Sequence, residues 1–285
     1  MSNSTNNTAE LTAEQVQNVL VQPLQAASLF LAAGPTVINT AGPIRLPKAA
    51  KYDGSALGFT GESELIPERD AEFDEIQLMP STMKSVKVIT RYSNELARQS
   101  VIALDSAIKD KLVGDVAAKL DAQFFGASGD GITTPRGLFA LKDTQSLAAP
   151  SALDYDTLID AWGLALAANV NTQGLKWVMS SADFVALRKI KDAGGNYILQ
   201  PDVTAAGQFV LFGSPVVISN RVPTGKAALV DFSQVVVAQD LAPSVTILKE
   251  RYADTDEQAI RVVSRYDVGA LNPEAVVVLD KEDGA

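Results

Sequence analysis

The sequence predicts an α+β protein with long projections at its N-terminal side. Three observations predict it. Apolar residues recur at helical spacing from Leu96 to Phe124, and short strand signals dominate after Lys176. The stretch from Gly34 to Leu78 carries strand and turn signals with too little apolar material for a core of its own.

In chain order, Thr12-Ala13-Glu14-Gln15 has the form of a capping box, and Val16, Val19 and Leu20 follow at helical spacing. Pro23 ends that helix and can open the next at its first position. Leu24, Ala27 and Leu31 give the second helix an apolar face, and Gly34-Pro35 stops it. From Gly34 to Gly61, Gly42-Pro43, Leu46-Pro47 and Asp53-Gly54 favour extended or turning backbone, so this region reads as an arm. Glu62 to Glu75 holds seven acidic residues and one basic residue, Arg69. From Ala71, apolar Ala71 and Phe73 alternate with Glu72 and Asp74. A second alternation runs from Met83 to Thr90, with Val86 and Val88 on one side and Lys87 and Ile89 on the other. The two predict a long hairpin, much of it too polar to be buried in its own domain. A lone two-stranded hairpin is marginal in water, so something outside has to support it.

Ser93-Asn94 can cap the next helix, in which Leu96, Leu104, Ile108, Leu112, Val116, Leu120 and Phe124 form the apolar stripe. This predicts one helix of about 30 residues, ~45 Å long. Gly126 and Gly129 end it, and Thr134-Pro135-Arg136-Gly137-Leu138 is a turn. A second compact region follows. Asp154 or Asp156 can cap a helix through Leu158, Ile159, Trp162 and Leu166, and Lys176 to Met179 reads as a buried strand. Ser180 or Ser181 can cap a helix bearing Phe184, Leu187 and Ile190, closed by Gly194-Gly195. Val210 to Val217 is a strand with a turn inside it; Ala227–Phe232, Val235–Ala238, Thr246–Leu248, Ala259–Arg265 and Ala275–Leu279 are further strands.

Composition narrows the chemistry. The 285 residues are 47% hydrophobic and include neither cysteine nor histidine. That removes disulfides, thiolate catalysis, imidazole bases and His- or Cys-liganded metals. Carboxylate, lysine, tyrosine and serine chemistry stay open, as do oxygen-liganded magnesium and calcium. The 24 basic residues are outnumbered by 34 acidic ones, for a net charge of −10. A protein that grips phosphate backbones needs clustered Lys and Arg, so sequence-specific nucleic-acid binding is not expected. Ser2 to Thr8 is polar, without the basic-then-apolar order of a secretory signal, and Asn3-Ser4-Thr5 and Asn6-Asn7-Thr8 read as tail, not as glycosylation sites. The apolar stretch Leu24 to Ala33 is too short to cross a bilayer.

Three constellations imitate sites. Gly126 to Gly131 resembles a phosphate loop, but it follows a helix and lacks the Lys-Ser/Thr ending. The acids of Glu62 to Glu75 lack the order of a calcium loop and read as a solvated or partner-facing strand. Lys191 with Ser180 or Ser181 could mimic a Ser-Lys hydrolase, against the plainer reading of a helix cap and a surface lysine. No catalytic, cofactor or metal residue is expected.

Motifs along residues 50 to 280 resemble the major capsid proteins of tailed bacteriophages, the Hong Kong 97-type fold. They are Gly61-Glu62, Ile66-Pro67 and Glu72 to Leu78, then Lys87 to Thr90 leading through Ser93-Asn94-Glu95-Leu96 into the long helix. Phe125-Gly126, Gly129-Asp130-Gly131 and Pro135 to Leu138 follow, then Trp177-Val178-Met179, Leu187, Lys191 to Ile198, Leu211 to Val216, Arg265 and Pro273-Glu274-Ala275. The resemblance implies an N-terminal arm to residue 50, an extended β-hairpin loop over 51–82, a peripheral domain over 83–148 and 262–285 with the long helix as its spine, and an axial domain over 149–261. It implies a shell subunit assembling with itself into pentamers and hexamers in a virion, built in the host cytoplasm around double-stranded DNA, with a portal protein as partner and no membrane. Some relatives carry a scaffolding segment before the arm; none is expected here, so scaffolding or decoration would come from separate proteins.

Some family members cross-link their subunits through a lysine, an asparagine and a glutamate. Aligned on the motifs, those positions hold Ile66, Asp256 and Val263, so the resemblance implies a shell held by noncovalent contacts. The acidic imbalance of the loop makes Glu62, Glu64, Glu68, Arg69 and Asp70 candidates for contact between subunits, with Arg98, Lys109, Lys111 and Lys119 as the basic strip they meet. The alternative within the same fold is an encapsulin-type compartment, which by resemblance opens with a helix lining its cargo site. A third class, a carboxylate-dependent hydrolase, would need acids converging in a pocket, whereas here they cluster on a projecting loop.

Overall fold

The computed structural model describes Leu24, residues 27–49, Phe59, residues 61–62, 73–95, 104–150, 153–192, 194–199, 209–240, 244–248 and 250–281. The capping box at Thr12 and the first predicted helix lie outside these residues.

The four-residue helix α1 (Leu29–Ala32) is capped by Ser28. Phe30 carries its burial, and Ala27, expected on the apolar face, is exposed. The predicted second helix is broken there because Ser28 leaves helical φ/ψ to act as a cap. Strands β1 (Thr36–Thr40) and β2 (Ile44–Ala49) follow, then β3 (Phe73–Leu78) and β4 (Val86–Ser93). Helix α2 (Leu104–Phe124) is 21 residues long. Beyond it come β5 (Gln145–Ala149), α3 (Tyr155–Ala167), β6 (Leu175–Met179), α4 (Ser181–Arg188), β7 (Val210–Leu211) and β8 (Ser214–Ile218). The chain ends with β9 (Lys226–Asp231), β10 (Val235–Asp240), β11 (Ser244–Leu248), β12 (Glu257–Ser264), β13 (Tyr266–Ala270) and β14 (Val276–Lys281).

One expectation fails. β3 and β4 are both strands, but they do not pair with each other. β3 pairs antiparallel with β2, Ile44 opposite Leu78 and Ala49 opposite Phe73, while β4 pairs antiparallel with β12. Alternation specifies a strand and its buried face, not its neighbour. The turn at Met79, with φ 55, redirects the chain between the two strands. Residues 34–49, expected to form an arm without a core, take partners elsewhere in the chain: β1 adds parallel to β10, and β2 to β3.

A six-stranded mixed sheet, ordered β5-β14-β9-β6-β8-β7, forms the middle layer of the molecule. The parallel strands β6 and β8 are joined through α4, and α3 links β5 to β6. Side chains alternate across the sheet. Trp177, Met179, Leu229, Val277 and Leu279 meet Leu158, Ala161 and Ala165 of α3 and Phe184 and Leu187 of α4. Val178, Ala228, Val230, Val276 and Val278 meet Leu112, Val116, Leu120 and Phe124 of α2 on the other face. That second core also takes in Phe30, Phe125 and Phe232, whose rings lie 5.1–5.5 Å from one another or from Phe124. The caps fall where expected: Asp154 accepts from Thr157 N–H for α3, and Ser180 from Asp183 N–H for α4. The turn inside Val210–Val217 is a two-residue hairpin at Phe212-Gly213, both with positive φ.

Two three-stranded sheets complete the fold, ordered β1-β10-β13 and β11-β12-β4. In β10, Val235 and Val237 face the α2 core, while Val236 and Ala238 face the β2–β3 ribbon through Ile44, Leu46, Ile76, Leu78 and Met83. The ribbon base therefore rests on the face of β10 opposite the long helix.

Candidate functional site

Among the described residues no group of acids is placed to hold a metal ion. The features with chemical or mechanical content are the ribbon base, one apolar groove and one basic sheet face.

At the ribbon base, Asp267 of β13 is 2% exposed. Its carboxylate accepts the N–H of Met79 at 2.8 Å and that of Val268 at 2.9 Å. Burial pushes this carboxyl up to about 6, opposed by those two N–H groups and by nearby Arg136. Two residues along β13, Gly269 leaves room for the ribbon: a Cβ there would stand 2.5 Å from Ile76 Cδ1 and 2.8 Å from Leu78 Cδ2. A crease of about 260 Å³ runs beside this seat, edged by Lys48, Glu75, Arg136, Lys142 and Asp143. An Asp and a Gly on one strand thus fix the backbone and the side chains of the ribbon's last turn.

The Gly129-Asp130-Gly131 loop leans on the same seat. Asp130 accepts the N–H groups of Ile132, Thr133 and Thr134 at 2.8–2.9 Å and the hydroxyl of Thr133, which holds its carboxyl well below the usual range. These amides are occupied by the protein's own carboxylate, so the loop has no free amide cradle for a phosphate. Ser180, considered as a nucleophile, donates to Asp183 at 2.8 Å, and Lys191 lies 4.9 Å from the Tyr197 ring centroid. Cap and surface lysine is the reading this geometry fits.

The contact candidates are scattered. Glu62 is exposed. Glu64, Glu68, Arg69, Asp70 and Arg98 lie outside the described residues, as does the side chain of Lys109. Lys111 pairs with Asp115 one turn on at 3.6 Å, and Lys119 is exposed. Ile66 is likewise outside the described residues. Val263 sits in β12 opposite Lys87, and Asp256, with φ 50, accepts from Asn94 Nδ2 at 2.7 Å.

An open apolar groove of about 960 Å³ runs along α4, lined by Phe184, Val185, Tyr197, Leu199 and Phe209. Val185, Tyr197 and Phe209 are 43–52% exposed, and so is Val210 of the edge strand β7. Exposed apolar residues beside a short edge strand mark a surface that a neighbouring chain can cover.

The β11-β12-β4 sheet has one face in the α2 core, through Tyr92, Ile260 and Val262 with Val86 and Val88. Its register puts Lys87, Ile89 and Arg91 on the other face, opposite Val263, Arg261 and Ala259. Ile89 is 44% exposed there, and Arg261 Nε is buried with no hydrogen-bond partner among the described residues.

Sequence reading missed Asp121, Asp267 and Gly269. The signal for the first was present: Asp121 lies between Ala117 and Phe124 on the buried stripe of α2, where an acid needs donors. Ser28 Oγ, Leu29 N–H and Phe30 N–H supply them at 2.6, 3.0 and 3.2 Å.

This architecture is that of solved shell-forming chains, the Hong Kong 97-type fold. The structure superposes on the capsid of a native GTA particle with a TM-score of 0.69 at 18% identity, covering 99% of this chain and 94% of that one. A virus-like particle from Pyrococcus furiosus gives 0.60 at 14% identity, over 94% and 98%. The chain belongs to the phage capsid family, which it matches over residues 9–281. It is similar to the major capsid protein of Klebsiella oxytoca phage phiKO2, 27% identical over 264 residues, covering 83% of this chain and 59% of that protein. It spans 28–59% of the length of the curated relatives it matches.

Proposed function

We propose that this chain is the major capsid protein of a tailed bacteriophage, a non-enzymatic subunit that assembles with copies of itself into pentamers and hexamers of an icosahedral shell. The observation that carries this reading is the β2–β3 ribbon. Its base is seated on β13 and β10, while 23 residues, 50–72, lie between its strands and include most of the acidic run. An acidic projection on a domain complete without it suits a lattice, where neighbours supply the missing contacts. The family match supports the same reading.

In this assignment, residues 1–50 are the arm, 51–82 the extended loop, 83–148 with 262–285 the peripheral domain around α2, and 149–261 the axial domain. The apolar groove along α4 belongs to that last part and faces subunits around an axis. Glu62, Glu64, Glu68, Arg69, Asp70, Arg98, Lys109, Lys111 and Lys119 are contact residues between subunits. Double-stranded DNA is enclosed without sequence-specific grip, as the net charge of −10 requires. A portal protein, and separate scaffolding or decoration proteins where used, complete the virion in the host cytoplasm.

The test is negative-stain imaging and sedimentation of the purified protein. Closed shells or capsomers are expected. A monodisperse monomer at high concentration would overturn the reading. Neighbouring portal and terminase genes distinguish it from an encapsulin-type compartment, which a cargo-enzyme neighbour would favour.

A further inference from the structure

We infer that the outer face of the β4–β12–β11 sheet is the docking surface for the acidic segment 62–74 of a second copy of this chain. The inference rests on the shell reading, because it names the partner of a surface that only an assembly covers.

Three cations share this face. Lys87 and Arg91 stand on β4 and Arg261 on β12, brought together by the register that sets Ile89 opposite Arg261. One acid answers them: Glu257, 3.7 Å from Arg91, at the end of the strand. Lys87 is exposed and makes no ion pair, and Arg261 spends one nitrogen on Thr246 Oγ1 at 3.3 Å while its Nε donates to nothing. A buried N–H without an acceptor costs stability unless a partner arrives. Ile89, between these cations, offers an apolar centre 44% exposed. Cations around an exposed aliphatic side chain fit an acidic strand that also carries apolar residues.

The segment 62–74 has that composition. It holds six acids, Glu62, Glu64, Glu68, Asp70, Glu72 and Asp74, against Arg69, with Leu65, Ile66, Ala71 and Phe73 interleaved. Glu75, the next acid, pairs with Arg45 across the ribbon at 3.4 Å. The 23 residues between Ala49 and Phe73 can extend ~36 Å beyond the ribbon if each half runs out as a strand. That is the scale of a small domain, enough to reach a neighbour. The basic residues of α2 are a weaker acceptor: Lys111 already has Asp115 beside it, and Lys119 stands alone. Partly desolvated pairs across an interface contribute more than such exposed ones.

Zero-length carbodiimide coupling of wild-type particles tests this without a variant. The expected product joins Lys87 Nζ to a carboxyl of segment 62–74, with loss of water, enriched in the dimer band of a denaturing gel over the monomer band. A Lys87→Arg variant keeps the charge and loses that product. Particles in which other lysines couple but Lys87 finds no acid of 62–74 overturn the docking and leave the shell reading intact. The chain has no cysteine, so Ile89→Cys with Glu68→Cys gives an independent readout. Oxidised particles should show a reducible ladder of multimers, and a single monomer band from assembled particles counts against the docking. If the double variant does not assemble, the wild-type coupling decides. A wild-type chain that never assembles overturns the shell reading and the docking together.

Discussion

Ser28 donates its hydroxyl to Asp121 Oδ1 at 2.6 Å across 93 positions of sequence, and both side chains are buried. The bond joins the start of α1 to the last turns of α2. The same carboxylate takes Leu29 and Phe30 N–H, so one acid satisfies most of the free donors at the helix start. Lys176 Nζ meets the other end, donating to Ala33 carbonyl at 2.7 Å. Phe30 is thereby held among Phe124, Phe125 and Phe232.

Asp121→Ala should therefore release the N-terminal segment. It strands buried donors, at a cost of about 2–4 kcal/mol, whereas Ser28→Ala removes one hydrogen bond and costs about 1 kcal/mol. Urea unfolding reads the stability. Trypsin reads the release, because Arg45 is the first basic residue of the chain. Faster cleavage at Arg45 in Asp121→Ala than in Ser28→Ala is expected; equal rates would contradict the anchoring role.

Gly269→Val should lift the ribbon base from β13. The added atoms fall where Ile76 Cδ1 and Leu78 Cδ2 already sit, 2.5 and 2.8 Å from a Cβ. Overpacking of this kind costs about 1–3 kcal/mol. Gly269→Ala should cost less, because the end of the Ile76 side chain can move. Combining Gly269→Val with Ile76→Ala should recover part of the loss. A double variant no more stable than the single one would show that the strain lies elsewhere.

The sequence made some of this legible and hid the rest for identifiable reasons. Leu112, Val116, Leu120 and Phe124 announced α2 because its burial is one-sided and periodic. Strands β3 and β4 were visible by alternation, but their pairing depends on distant partners. β2 was hidden by Pro47, which lowers strand propensity and is tolerated here because β2 is an edge. β13 was hidden by Asp267 and Gly269, which interrupt its apolar pattern. Those two residues seat the ribbon, so a break in the local rule marked a working position. The basic sheet face could not be read at all, since Arg261 and Lys87 meet only through the β4–β12 register.

Asp267 should make stability fall as pH rises through the weakly acidic range. Its folded carboxyl titrates at about 6, against 3.8 ordinarily. The folded state thus keeps a proton that the unfolded chain releases earlier. The contribution is full below the unfolded value and lost as pH rises through about 6, up to ~3 kcal/mol from this one group. Other carboxylates add slopes of their own, so the readout is a difference. Relative to wild type, Asp267→Asn should gain stability between about pH 4 and about pH 7 in urea unfolding. A difference that stays flat across that range would sink the assignment.

Assembled particles should contain no isopeptide bonds between subunits. Such a bond forms when a lysine amine attacks an asparagine amide, ammonia leaves, and a buried carboxylate takes up the amine's proton. At the positions the family uses, Ile66 has no amine and Val263 cannot accept a proton. Asp256 is a poor acyl donor when ionised, and its Oδ1 is engaged by Asn94 Nδ2 at 2.7 Å. Cohesion must then come from apolar burial, at roughly 25 cal/mol per Å². The groove along α4 and the charged faces described above are the surfaces available for it. Boiling purified particles in detergent and running a denaturing gel checks this directly. One band near the chain mass of 30.1 kDa is expected. A ladder of multimers that survives boiling and reductant would mean that some other lysine and carboxamide have taken over the chemistry.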